Sequence, residues 1–528
     1  MDKYQNKDRT VGRVLELKAE KNGDKPFCFF EDDMVTYRGL DGIANSVGNS
    51  FLKLGLKKGD KVCVLLPNCL EFLYAMFGLA KSGITMVSIN YHQKGNILAY
   101  MINNSDARAL VVHQKYVDNV KAIEDELKNL EKLIICPATD NAPHFRFDTI
   151  SWPQMLESPD TTPKIDIHYS DIFCMQFTSG TTGASKAIMQ PHNQYVFAGE
   201  KMIEVTHGAE GGNFYNWFPM YHFSGMGNAT MSTLLSDSTM YMVETFSLRK
   251  WWDDLRRFKI TATGGFGQIL QLLMLMPESP DDRNHQVKNM ICAWVPKDIQ
   301  DAFEKRFNII LQDDYGLTEI EPVSIQAWDD RKPGTLGKGI EELEIKIFDD
   351  YDNELSRGSV GEIVCRPKLP FIMMTGYYKQ PEATLNTWRN LWFHTGDFGL
   401  IDSQGYIHFV DRKKDAIRRR GENISSQELE QIIGSHPKIA EMVAVPVPSE
   451  LGEDEVKVII RLNAGETLKP EELLDFCQPK MAYFMVPRFV EFVEDFPRSE
   501  LGRVKKNELK TVSEKTWDRE KAGYKLKR

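Results

Sequence analysis

Between Val62 and Cys136 four short β-branched runs, VCVLL, ITMVSI, ALVVH and KLIIC, alternate with helical patterns at Glu71 to Lys81, Gly95 to Asn104 and Val117 to Leu130. Strands that are apolar throughout are covered on both faces, and a helix between consecutive strands returns the chain to the same end of the sheet. The segment therefore reads as parallel β-α-β units. A further strand at Asp171 to Gln176 delivers the next loop at its C-terminal end, where open α/β sheets bind ligands. After Pro333 the texture changes to shorter alternating strands, Leu343 to Phe348 and Gly361 to Cys365, as in a β-rich subdomain. Beyond a charged stretch come a helix from Ser426 to Ser435, strands at Glu441 to Val447 and Glu455 to Leu462, a helix from Pro470 to Gln478 and a strand at Phe489 to Val493. The expected class is α/β: a large N-terminal region of several subdomains with parallel sheets, and a small α+β C-terminal domain. The boundaries expected are 1–410, an exposed charged connector at 411–415, the small domain at 416–510, and a charged, mobile tail at 511–528.

At 528 residues the chain exceeds one ordinary core, and its 42% hydrophobic and 27% charged content is that of a soluble globular protein. The most apolar stretch, Val62 to Asn90, is interrupted by Pro67, Asn68, Glu71 and Lys81, so it reads as strand, helix and strand, and no transmembrane segment is expected. The opening MDKYQNKDRT lacks the apolar core of a targeting signal. Eight cysteines without a C-x-x-C pair are simplest as buried, reduced thiols in a cytoplasm. A net charge of −10 argues against nucleic acid as a partner. Basic residues still cluster at Arg412 to Arg420 and Arg498 to Lys510, either as solvated runs or as faces toward a polyphosphate.

From Thr178 to Lys186 the chain reads TSGTTGASK. Backbone N–H groups, the hydroxyls of Thr178, Ser179, Thr181 and Thr182, and the Lys186 ammonium can converge on an anion, with Gly180 and Gly183 permitting close approach. The loop looks built to hold phosphate, although its spacing excludes a Walker A loop. Alone, such a run is more often an ordinary surface turn. Its company decides the matter.

That company is YHFSG at Tyr221 to Gly225, YGLTE at Tyr315 to Glu319, TGD at Thr395 to Asp397, DRKKD at Asp411 to Asp415 and RRGENIS at Arg419 to Ser425. In this order the set resembles the adenylate-forming superfamily of acyl-CoA synthetases, adenylation domains and luciferases, from about Thr36 to Leu509. ENISSQELE, SHPKIAEMVAVPVP, LNAGETL and FCQPKMAYFMVPRF look most like its carnitine/crotonobetaine-CoA ligase branch. The resemblance implies an AMP-binding N-terminal domain, a C-terminal lid, and the cofactors ATP, Mg²⁺ and coenzyme A. A carboxylic acid would attack the α-phosphate of ATP, giving an acyl-AMP and pyrophosphate, and the CoA thiol would then displace AMP.

By the same resemblance the loop from Thr178 to Lys186 holds the β- and γ-phosphates, and Glu319 with Thr178 engages Mg²⁺. Tyr315, followed by Gly316, stacks on adenine and Thr318 meets the α-phosphate. Asp397 and Arg412 bind ribose, and His222 sits beside the acyl carboxylate. Lys414 is the hinge, and Gly421 borders the pantetheine channel. Trp217, Tyr221, Phe223, Gly265 and Trp294 line the acyl pocket.

The family's late Pro-x-x-x-x-Gly-Lys motif reads PRSELGR here, placing Arg503 where a catalytic lysine is usual. A planar guanidinium is not a compact ammonium, so adenylation is expected to be retained but slowed. Ile291-Cys292-Ala293-Trp294 replaces the usual Gly-Gly-Ala-Pro, and Ser185 and Ala187 stand where Pro and Gly are usual. Two alternatives stay open: an acyl-AMP ligase that loads a carrier protein in trans, and a nucleotide- or acyl-AMP-binding pseudoenzyme. The sequence also leaves room for a homodimer.

Overall fold

The β-branched runs fold into strands at Lys61–Leu65, Thr85–Ser88, Ala109–His113 and Lys132–Cys136. Lys61–Leu65 lies in the middle, parallel to Thr85–Ser88 on one side and to Ala109–His113 on the other. The computed structural model describes residues 6–138, 143–178, 185–206, 211–293, 295, 297–412, 416–450, 452–497 and 504–526. They divide between two compact units, Met1–Tyr91, Ile102–Gln176 and Ala187–Asp411 in one, His92–Met101, Phe177–Lys186 and Arg412–Arg528 in the other.

Among the described residues the first sheet has eight strands, in the order Gly376–Tyr377, Lys186–Pro191, Ile172–Thr178, Thr85–Ser88, Lys61–Leu65, Ala109–His113, Lys132–Cys136 and Asp148–Ser151. A second, nine-stranded sheet runs Lys338–Gly339, Ile320–Ile325, Ile310–Leu317, Asn289–Ala293, Ala262–Phe266, Asn213–Asn216, Thr239–Met242, Pro26–Phe30 and Asp33–Thr36, parallel in its middle and antiparallel at both edges. One core joins Val62, Val64 and Phe173 of the first sheet to Phe27, Met240 and Met242 of the second, with Leu40, Phe51, Phe72 and Tyr195 between them. Helices Tyr37–Lys53, Leu70–Ser82 and His192–Val205 supply that middle layer. Leu70–Ser82 is buried along nearly its whole length, and it tolerates Lys81 because the ammonium meets Glu16 at 3.0 Å, Asp41 at 2.7 Å and Asn45 at 2.6 Å.

The β-rich subdomain after Pro333 is a four-stranded sheet of Leu343–Phe348, Gly361–Pro367, Phe393–Ile401 and Ile407–Arg412. The expected helix from Val117 to Leu130 does not form as one piece. Its place is taken by a short helix at Val117–Lys121 and a 3₁₀ turn at Glu124–Glu126. The break turns Glu124 inward, where its carboxylate accepts the N–H of Arg146 and its carbonyl accepts the Arg146 guanidinium at 2.9 Å.

The second unit is the α+β fold its pattern predicts. Strands Ile439–Pro448 and Asp454–Leu462 are antiparallel, Phe489–Phe492 adds parallel to the latter, and helices Ser426–Gly434 and Pro470–Cys477 accompany them. The charged tail departs from expectation. Trp517–Asp518 adds antiparallel to Phe489–Phe492, Asp518 accepts from Arg488 Nε at 3.2 Å, and the Tyr524 hydroxyl donates to Asp475 at 2.6 Å. An otherwise open sheet edge holds this segment, which composition alone leaves solvated.

All eight cysteines are unpaired and buried. Among the described residues no helix is long and apolar enough to cross a membrane.

Candidate active site

At the C-terminal edge of the nine-stranded sheet the chain leaves Asn213–Asn216 toward Thr239–Met242 on one side. From the neighbouring strand Ala262–Phe266 it proceeds to Asn289–Ala293 on the other. Connections that diverge in this way leave a crevice beyond the strand ends. Trp217, Tyr221, His222 and Phe223 follow the first strand, and Gly265 lies in the second. The Trp217 indole donates to the Gly264 carbonyl at 2.9 Å and packs against Phe218, Phe246 and Phe266 at centroid distances of 4.6, 5.1 and 5.2 Å. Such a ring is a fixed wall. Gly265 packs between Cys292 and Met290, while Phe223 belongs to the core beneath.

His222 is half-buried at the start of the π-helix Ser224–Met231, and its carbonyl accepts from Gly225 N and Met226 N, both at 3.1 Å. The Tyr221 carbonyl accepts from Gln176 Nε2 at 2.7 Å and Ser88 Oγ at 3.2 Å. Gln176 lies in strand Ile172–Thr178, so one side chain ties the first sheet to the YHFSG segment.

Strand Ile310–Leu317 brings Tyr315, and Phe393–Ile401 brings Asp397. The Tyr315 hydroxyl donates to Asp397 Oδ2 at 2.8 Å, with both residues buried. Burial, then the neighbouring carboxylate, hold the Tyr315 phenol well above its ordinary pKa. Gly316 allows the close approach of Glu321: a Cβ there would stand 2.5 Å from Glu321 Oε2. Glu321 Oε1 in turn accepts from Asn228 at 3.1 Å, tying this strand end to the π-helix.

Thr318 and Glu319 form the turn that follows. The Thr318 carbonyl accepts from Gln190 Nε2 at 2.8 Å and Gln194 Nε2 at 3.2 Å, and the Glu319 carboxylate accepts from the Tyr377 hydroxyl at 2.8 Å. Burial first, then Glu319, raise the Tyr377 phenol. Among the described residues no group of three or more His, Cys, Asp or Glu could hold a metal. A magnesium ion that reaches a protein with phosphate oxygens and waters needs only one or two carboxylates, and Glu319 fits that requirement.

Thr178 ends strand Ile172–Thr178 and Lys186 opens Lys186–Pro191. Of the loop between them only Ser185 lies among the described residues; Ser179, Gly180, Thr181, Thr182 and Gly183 lie outside them, as do Trp294, Lys414 and Arg503. Arg412 closes strand Ile407–Arg412 by its backbone. In the second unit Arg420 and Gly421, with φ of 55° and 77°, turn the hairpin from Ala416–Arg419 to Glu422–Ser425. Two successive positive φ angles suit a tight hairpin and explain a glycine there. Both Glu453 carboxylate oxygens accept from Gly421 N at 3.2 Å.

Sequence reasoning missed Gln190, Gln194, Tyr377, Gln176 and Asn228. Its one available signal was the Gln190–Gln194 pair, two amides on either side of the junction between strand Lys186–Pro191 and helix His192–Val205, in a stretch otherwise built to be buried.

The AMP-binding enzyme family profile matches residues 15–378, and that of the AMP-binding enzyme C-terminal domain matches 428–503. Crotonobetaine/carnitine–CoA ligases of Salmonella typhi and Salmonella paratyphi C are 33% identical over 508 residues, 92% of this chain and 96% of theirs. Among solved structures, o-succinylbenzoate CoA synthetase of Bacillus subtilis superposes with a TM-score of 0.82 at 20% identity, covering 96% of this chain and 99% of that one. The amide bond synthetase of Marinactinospora thermotolerans does so with a TM-score of 0.83 at 21% identity, covering 94% and 99%. These two likenesses are of fold.

Proposed function

This chain belongs to the AMP-binding enzyme family, and we propose that it is an ATP-dependent acid–thiol ligase that joins a small carboxylic acid to coenzyme A. The overall balance is acid, ATP and CoA to acyl-CoA, AMP and pyrophosphate. A carboxylate is a poor electrophile, and conversion to the mixed anhydride with AMP supplies the leaving group that the thiol then displaces. Catalysis of such a transfer is mostly positioning and charge stabilisation.

The observation that carries this reading is the bond from Tyr315 to Asp397, residues 82 apart in sequence that belong to two separate motifs. An aromatic face beside a carboxylate is what a purine nucleoside requires: the ring stacks on the base and the carboxylate accepts the ribose hydroxyls. Glu319 would hold Mg²⁺, whose chemistry when bound is to neutralise phosphate charge. The buried amides of Gln190 and Gln194 fix the Thr318–Glu319 turn, so that Glu319 need not be ordered when nucleotide arrives. Trp217 and Phe266 bound the crevice in which the acid would lie.

The acids to try first are betaines such as crotonobetaine and carnitine, which the relatives' names carry and which an aromatic wall can hold by cation–π contact. A reaction that needs ATP and reduced CoA suits the cytoplasm. The test is incubation of the full chain with ATP, Mg²⁺ and a panel of acids, with CoA and without it. We expect acid-dependent pyrophosphate release in both, and a new acyl-CoA mass in the first. Absence of AMP under every condition would refute the assignment.

A further inference from the structure

In the second unit, Oε1 of Glu428 accepts the N–H of Ser185 at 2.9 Å and also the Ser185 hydroxyl. We propose that Glu428 is an internal occupant of the phosphate loop's C-terminal donors, one that nucleotide must displace, and that it thereby sets the affinity for Mg·ATP. The inference rests on the proposed function and on the phosphate role that the family resemblance gives the loop ending at Lys186.

A backbone N–H and a hydroxyl converging on one oxygen are the donor pair an anion binds. Ser185 is 3% exposed and Glu428 9%, so the carboxylate is not a surface group that happens to lie near. It is held from behind: Glu428 sits in the first turn of helix Ser426–Gly434, its own N–H donating to the Ser425 hydroxyl at 3.3 Å, and a helix N-terminus favours negative charge. The loop side is held as well, since the Ser185 carbonyl accepts from the Tyr100 hydroxyl at 3.0 Å.

What is missing is a cation. Among the described residues no ammonium or guanidinium pairs with Glu428, and a buried carboxylate without one is costly. Burial accordingly raises its pKa. Such a contact is readily traded for a phosphate that arrives with Mg²⁺ of its own. By the family resemblance Ser185 stands where proline is usual, and proline has neither an N–H nor a hydroxyl. Glu428 is thus a positioning residue acting on the loop.

The experiment measures Mg·ATP binding to the full chain by calorimetry for the wild type, Glu428→Gln, Glu428→Ala and Ser185→Ala, with thermal melts alongside. Amide exchange at Ser185 is followed for the wild type and Glu428→Ala. We expect Glu428→Gln and Glu428→Ala each to bind Mg·ATP about five- to tenfold more tightly, Ser185→Ala, which lacks the hydroxyl that phosphate would take over, to gain less than either, and the Ser185 amide to exchange faster in nucleotide-free Glu428→Ala than in the wild type. A merely structural glutamate predicts the opposite sign, weaker binding with a lower melting temperature. Unchanged or weaker binding in either Glu428 variant overturns the proposal, as does equal exchange at Ser185. If neither the wild type nor any variant binds Mg·ATP, the functional reading itself falls, and this inference with it.

Discussion

Tyr377 donates its hydroxyl hydrogen to Glu319 Oε1 across 2.8 Å, from a two-residue strand at the edge of the first sheet to a turn at the end of the second. The bond orients the carboxylate assigned to Mg²⁺. A hydrogen bond to a charged group contributes roughly 1.5–3 kcal/mol, or about ten- to a hundredfold. Tyr377→Phe is therefore expected to raise the Mg²⁺ concentration needed for half-maximal pyrophosphate release by about tenfold, and Glu319→Gln to lower kcat by at least a hundredfold. Magnesium titrations of acid-dependent pyrophosphate release check both; equal activity in Tyr377→Phe and the wild type would show that the tyrosine only packs.

The pair Tyr315 and Asp397 predicts a different split. Tyr315→Phe keeps the ring proposed to stack on the base but leaves Asp397 with one donor fewer, so the KM for ATP should change by less than about tenfold. Asp397→Ala removes the carboxylate proposed to accept the ribose hydroxyls and should raise that KM by roughly a hundredfold while the KM for the acid stays put. Initial rates at varied ATP and fixed acid distinguish these outcomes.

His192 predicts the acid limit of the larger unit. Its Nδ1 accepts the N–H of Val11 at 3.2 Å, and its ring is buried against Phe173. Burial pushes the imidazole down to about 3 from its ordinary 6.5. The unfolded chain thus binds this proton at a pH where the folded one does not, so stability is full above pH 6.5 and is lost as pH falls from there toward 3. The loss is roughly 1.4 kcal/mol per pH unit for the group. His192→Asn, which keeps an acceptor but cannot titrate, should flatten the fall between pH 7 and 5 by about 2 kcal/mol in denaturant unfolding.

PRSELGR ends in Arg503, which the family resemblance sets at the place of a late lysine. Arg503→Lys should raise the rate of carboxylate-dependent pyrophosphate release if the guanidinium is the poorer bridge between carboxylate and α-phosphate. An unchanged or lower rate refutes that account of the substitution.

The parallel sheets were legible because strands such as Lys61–Leu65 and Ala109–His113 are covered on both faces and carry continuous apolar runs. The helix from Val117 to Leu130 was misread because helical spacing says nothing of Glu124, whose partners are the backbone and guanidinium of Arg146. The tail was misread for a related reason: its charges are spent on Arg488 and on an open strand edge that no local pattern announces. Tyr315, Asp397 and Glu319 could be named from their motifs. The side chains that hold the Thr318–Glu319 turn, Gln190, Gln194 and Tyr377, lie 58 to 128 residues from their partners, and no local pattern links them to it.

The eight buried cysteines bear on the reaction itself. Burial raises the pKa of every one of them, so none offers a thiolate at neutral pH. An enzyme that manufactures an acylating agent has thereby made itself a poor target for its own product, and the sulfur nucleophile left to intercept the anhydride is the one that arrives with the acceptor.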